Sequence, residues 1–242
     1  MFAYEDRHWW FRGKRALVER MVRRFAPPEG RMRSLDVGCG TGATLGLLAR
    51  FGEAHGADLQ PLALDCCRQR GLTALVRASA LRLPYSDARF DLVTLLDVLY
   101  HRRVGDVAGA LREACRVCKP GGLLVVTDSA FESLKGPHDV AVHAARRFRR
   151  DELVREVEAS GFAVVRASYT NALFFPLTGL LRFAQRIMHR EPHAGSSLGP
   201  PPPLVNGLLA VVAQLEAMLL DHATFPLGLS VMVVARRPPA GR

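Results

Sequence analysis

The chain has 242 residues, 49% hydrophobic and 23% charged, which suits one globular domain with a sizeable core and a small accessory part. The net charge of +10 points to nucleic acid, an anionic membrane surface or an acidic substrate, but 30 of the 33 basic residues are arginines scattered from Arg7 to Arg242, so a compositional bias explains it as well. Five cysteines, an odd number, and a polar, aromatic N-terminus with no secretory apolar run exclude a disulfide-built secreted domain and predict a reduced, cytoplasmic protein.

Leu17, Val18, Met21, Val22 and Phe25 recur at helical spacing over 14–25, and Pro27, Pro28 and Gly30 end that helix. Before it, "HWWF" at 8–11 crowds three aromatics into four residues, either a hydrophobic staple or a lid. "RSLDVG" predicts a buried strand, "ATLGLLARFG" a helix closed by Gly52, and "AHGAD" a strand ending at Asp58. "PLALDCCRQRG" predicts a helix, "LTALVRA" and "RFDLVTLLDVLY" two strands, and "VGDVAGALREACRVCKPGG" a helix that places Cys115 and Cys118 together as face packing rather than as a metal site. "LLVVTDS" is the fifth strand, followed by helix "RDELVREVEASGF" and strand "AVVRASY". Residues 172–190 predict an amphipathic helix with Arg182, Arg186 and Arg190 on one face, then comes a proline-rich linker. An apolar helix at about 204–220 follows, shorter than a membrane span needs, and the chain closes on a strand at about 228–235.

Strands alternating with helices predict an α/β fold, a Rossmann-like, mostly parallel sheet covered on both faces, with the ligand at the strands' carboxyl ends. Gly38, Gly40 and Gly42 follow the first strand, and such a turn at a helix start brings backbone N–H groups close to a ligand. Asp58, ending the second strand, suits a ribose diol. The pattern is G-x-G-x-G and not the dinucleotide G-x-G-x-x-G. Asp36 would repel a pyrophosphate and suits an ammonium group, so the chemistry favours S-adenosylmethionine.

"LDVGCGTG" resembles the first motif of the class I S-adenosylmethionine-dependent methyltransferases, and "GADLQPLALDCCRQRG", "LRLPYSDARFDLVTLLDVLYH" and "KPGGLLVVTDS" resemble the later landmarks in order. The aromatic opening resembles that of a bacterial subgroup close to methyltransferase type 11. The resemblance covers roughly 31–169 and the last strand. It implies a seven-stranded sheet with an antiparallel last strand and a helical insertion before it. It also implies a cofactor site of Asp36, Gly38, Cys39, Gly40, Gly42, Asp58, Leu59, Ser79, Ala80 and Asp97. Ser79 stands where the family commonly has an acid toward the adenine.

The domains expected are a lid at 1–30, a core at 31–171 and 222–242, and a substrate cap at 172–221. Tyr100 and His101 after the fourth strand, and His138 and His143 after the fifth, are the candidates for a catalytic base, with Asp128 a weaker one. No metal is expected. The expected function is methyl transfer to oxygen or nitrogen of a small-molecule or lipid-linked acceptor, by a monomer or homodimer with peripheral inner-membrane contact left open. The alternatives are an RNA or other nucleic-acid methyltransferase, disfavoured because no N-P-P-Y or D-P-P-Y tetrad follows the fourth strand, and a non-catalytic cofactor-binding protein.

Overall fold

The computed structural model describes residues 2–26, 31–176 and 201–239. Seven strands run as β1 (Met32–Val37), β2 (Gly52–Asp58), β3 (Leu75–Arg77), β4 (Phe90–Leu96), β5 (Cys118–Ser129), β6 (Ala163–Thr170) and β7 (Ser230–Arg236). Between and around them lie α1 (Trp9–Phe25), α2 (Ala43–Leu48), α3 (Pro61–Gln69), α4 (Val107–Val117), α5 (Pro137–Ala141), α6 (Arg150–Ala159) and α7 (Pro203–Leu219). The sheet order is β3-β2-β1-β4-β5-β7-β6, with β7 antiparallel to both of its neighbours. The Rossmann-like α/β architecture is therefore the one expected. Chain order reverses between β1 and β4, which opens a crevice at their carboxyl ends.

Strands buried on both faces must be mostly apolar, and the runs 92–93 of β4, 123–126 of β5 and 231–235 of β7 are. Leu35, Val93, Leu124 and Val233 bury one face against Leu111 and Val117 of α4 and Leu153 and Val157 of α6. Leu92, Leu123, Val125 and Val234 bury the other against Leu17, Val18 and Met21 of α1, Leu48 of α2 and Ala217 of α7. Fully burying each such Leu or Val contributes about 1.5–3 kcal/mol.

Local chemistry moved several boundaries. The first helix begins at Trp9 and not at residue 14, because the His8 ring caps it by accepting from the Trp10 N–H at 3.2 Å. Gly52 closes no helix: α2 ends at Leu48, and Gly52 opens β2 where a Cβ would lie 2.1 Å from the Met32 carbonyl oxygen. Cys115 and Cys118 do not share a helix, since α4 stops at Val117 and Cys118 is the buried first residue of β5. Most of the helix expected at 172–190, with Arg182, Arg186 and Arg190, and most of the linker after it lie in 177–200, outside the described residues. The later apolar helix is α7, and it packs on α1.

Candidate active site

β1 delivers Asp36 and Val37 to the sheet's carboxyl edge, and the chain then turns through Gly38, with φ +73°. A Cβ on Gly38 would sit 2.5 Å from Val98 Cγ2, so both conformation and space require glycine there. At Gly40 a Cβ would meet nothing within 4 Å, because that face of the turn opens onto a cavity. The cavity holds about 360 Å³, within the range of small-ligand sites.

Asp58 faces this cavity from the end of β2. Its carboxylate accepts from the Gly40 N–H at 2.9 Å and the Gln60 N–H at 2.8 Å, which ties the two ligand-facing turns together and leaves lone pairs for a diol. Asp36 is buried and accepts from the Thr94 hydroxyl at 2.6 Å. Burial pushes its carboxyl up to about 7, and the nearby Asp58 charge adds to the rise. Cys39, Leu59, Ser79, Ala80 and Asp97 also border the cavity. Ser79 turns its hydroxyl oxygen to the Leu81 N–H at 3.2 Å.

The N-terminal segment, expected as a lid, borders the cavity through residues that the sequence did not single out. Glu5, Phe11 and Lys14 border the cavity. Glu5 accepts from the Thr41 hydroxyl and from Arg70 at 2.7 Å, and Arg70 also binds Asp6 and the Thr41 carbonyl, clamping residues 5–6 onto the glycine turn. Lys14 pairs with Asp97, a residue at φ +57° just past β4. Burial pushes the Lys14 ammonium down to about 8, against the pull of the Asp128 charge. Helical spacing with Trp10 and Phe11 was the one available signal, but the lysine read as part of a solvated basic face.

The candidate bases separate. Tyr100 and His101 border the cavity, with the Tyr100 hydroxyl pushed up to about 12 by burial. Burial lowers the His101 pKa, which keeps the ring neutral, but its Nδ1 accepts from the Arg103 N–H at 3.1 Å. The neutral ring then carries its hydrogen on Nε2, so the other nitrogen donates rather than accepts. His138 and His143 are exposed and do not border the cavity. Asp139, the acid beside His138, gives its oxygens to Arg147 at 2.8 and 3.0 Å and to the Gly136 N–H at 2.7 Å. Asp128, buried with its carboxyl pushed up to about 7 by burial, accepts from the Leu99 and Tyr100 N–H groups and thereby fixes the segment leading to His101.

The family profile of a methyltransferase domain matches residues 35–126. Residues 35–126 therefore carry a methyltransferase domain, in line with the resemblance to the class I S-adenosylmethionine-dependent methyltransferases. The chain is 40% identical over 98 residues to a demethylmenaquinone methyltransferase of Tropheryma whipplei, covering 39% of this chain and 40% of that one. It is 33% identical over 139 residues to a norajmaline N-methyltransferase of Rauvolfia serpentina, covering 50% and 47%. The chain thus spans less than half the length of these curated relatives. An S-adenosylmethionine-dependent methyltransferase from Mesorhizobium loti shares the fold with a TM-score of 0.60 at 19% identity, over 96% of this chain and 100% of that one.

The residues around the cavity fit the family's cofactor. Glu5, Asp36, Asp58 and Asp97 outnumber Lys14 and Arg103, an excess of negative charge suited to a ligand bearing a sulfonium and an ammonium. Among the described residues no group of three or more His, Cys, Asp or Glu is placed to hold a metal ion.

Proposed function

We propose that the protein transfers a methyl group from S-adenosylmethionine to a small, ring-bearing or lipid-linked acceptor at oxygen or nitrogen. The observation that carries this reading is the acidic cavity, with aromatic side chains grouped at the same edge of the sheet. Trp9 packs on Phe174 with centroids 4.7 Å apart, and Phe131 stacks on Tyr169 at 4.7 Å and meets Phe175 at 5.9 Å. Phe131 and Phe174 lie shortly after the ends of β5 and β6, and Trp9 opens the helix that carries Lys14. Such rings offer an apolar platform to an acceptor ring. The names of the two relatives point to small acceptors. The acidic wall works against a phosphate backbone, which tells against the nucleic-acid alternative.

In this reading Asp58 accepts from the ribose hydroxyls, ionised Asp36 faces the ammonium, and Leu59 and Ala80 flank the adenine with the Ser79 hydroxyl beside it. The bound cofactor supplies an electrophilic methyl group on sulfur. The protein's main task is then to hold the acceptor atom in line, a contribution of several kcal/mol. Lys14 is the group poised to take the acceptor's proton: its pKa near 8 leaves part of it as the neutral amine at neutral pH, and Asp97 fixes its position. His101 donates a hydrogen bond from Nε2. The clamp of residues 5–6 closes the cavity as a lid.

The test is methyl-tritiated S-adenosylmethionine offered with a panel of reduced quinols, phenols and amines and, in parallel, total RNA. Label in solvent-extractable products supports the proposal. Label in RNA overturns it, and binding of the cofactor with no transfer to any class assigns the protein to cofactor binding alone.

A further inference from the structure

α7 is built the reverse of an ordinary surface helix. Its inward face is made of small residues: Ala210, Ala213 and Ala217 are buried, and Gly13 of α1 approaches so closely that a Cβ there would sit 2.6 Å from that of Ala213. Its outward face carries the large ones. Leu204, Leu208, Val211, Leu215 and Met218 are 89%, 66%, 52%, 50% and 50% exposed.

Their spacing is 4, 3, 4, 3, which is the alternation that keeps an apolar seam facing a partner helix. A contiguous apolar strip is seldom left bare on a soluble monomer. The helix contains no Lys, Arg or Asp, and its one charged residue, Glu216, is turned inward, where it accepts from the Leu173 N–H at 3.0 Å. The seam therefore offers no charge to attract an anionic lipid surface or an oppositely charged partner.

It does match itself. Leu204 and Met218 lie seven residues to either side of Val211, and Leu208 and Leu215 lie three and four residues away, so the pattern reads almost the same in both directions. Two such helices laid antiparallel about Val211 would set Leu204 against Met218 and bring Leu208 beside Leu215, one residue out of exact register, along a seam roughly 21 Å long at 1.5 Å per residue. That is the isologous contact of a two-fold dimer. The five side chains expose roughly 550 Å² per copy, so a pair would bury at most about 1,100 Å² from them, of the order of the ~1,000 Å² expected of a specific interface.

We propose that the outward face of α7 is a homodimer interface, with α7 of two copies packed antiparallel across a two-fold axis at Val211. Sedimentation equilibrium of the full chain at about 50 µM tests it. The expected mass is twice 26.6 kDa for the parent and the single-chain mass for the Leu208→Glu/Leu215→Glu variant, which keeps its affinity for S-adenosylhomocysteine and so is folded. Oxidative cross-linking fixes the direction: Val211→Cys links to itself, Leu204→Cys alone does not, and Leu204→Cys/Met218→Cys does, all judged against the parent with its native cysteines. A parent that stays monomeric overturns the proposal, as does a dimer that survives the double substitution. A monomer that floats with neutral phosphatidylcholine vesicles also overturns it, in favour of lipid. A monomer whose Met218 resists peroxide overturns it in favour of cover by the chain itself.

Discussion

Asp36→Asn separates what the buried carboxyl costs the fold from what it gives the ligand. Burial holds the Asp36 carboxyl at about 7 instead of 3.8. Between those two values the native state keeps a proton that the unfolded chain has lost, so stability falls as pH rises through the window, and the cost is complete above pH 7. At about 1.4 kcal/mol per pH unit, the full cost is roughly 4 kcal/mol as a ceiling. The amide of Asn keeps the shape, still accepts from Thr94, and cannot ionise. The variant is therefore expected to melt higher than the parent at pH 8.5, by about 5–10 °C for a gain of 2–3 kcal/mol in a chain of this size, and at the same temperature at pH 4. Buried Asp128 titrates over the same range in both proteins, so the difference between them isolates Asp36. Ligand binding moves the other way. If the ionised carboxylate receives the cofactor's ammonium, parental affinity rises about tenfold per pH unit below 7 and levels off above it. The Asn variant binds more weakly and without that slope. Calorimetry with S-adenosylmethionine from pH 6 to 8.5 reads both. A parental affinity that is flat across this range, or a variant that binds like its parent with the same slope, would refute the reasoning.

Asp58→Ala removes the acceptor for the ribose diol and unties Gly40 from Gln60, and is expected to weaken S-adenosylhomocysteine binding by about 1–3 kcal/mol in calorimetry. Gly38→Ala, which combines a positive φ with a clash at Val98, is expected to lower stability by about 1–3 kcal/mol in urea unfolding and to weaken the ligand with it. His138→Ala, at an exposed position away from the cavity, is expected to leave ligand affinity unchanged and stability within about 0.5 kcal/mol, as calorimetry and urea unfolding will show. Once an acceptor is in hand, Lys14→Met should reduce turnover by about 10²–10⁴ and remove the limb of the pH–rate profile near pH 8, with ligand affinity largely kept.

The architecture was legible because its signals are local. Apolar runs punctuated by glycine and proline mark β1 to β7, and an acid before and after a glycine-rich turn marks the crevice between β1 and β4. Lys14 was not legible, since 83 residues separate it from Asp97 and only the packing of α1 onto the sheet edge joins them. The adjacency of His138 and Asp139 in sequence suggested a dyad, but Arg147, folding back from eight residues on, takes the carboxylate. The role left to His101 depends on a hydrogen bond from Arg103 that no residue pattern announces. The outward seam of α7 was visible only as excess hydrophobicity. Which of its apolar faces is covered became clear once Ala210, Ala213 and Ala217 were seen against α1.

The central claim is that the cavity at the β1 and β4 carboxyl ends holds the methyl donor. The most direct measurement is a crystal structure with S-adenosylhomocysteine at saturating concentration. The account predicts density in this cavity, with ribose oxygens within about 3 Å of the Asp58 carboxylate, the amino group on the Asp36 side and the backbone of Gly38–Thr41 against the ligand. Density at another site, or an empty cavity under conditions where calorimetry shows binding, would contradict it.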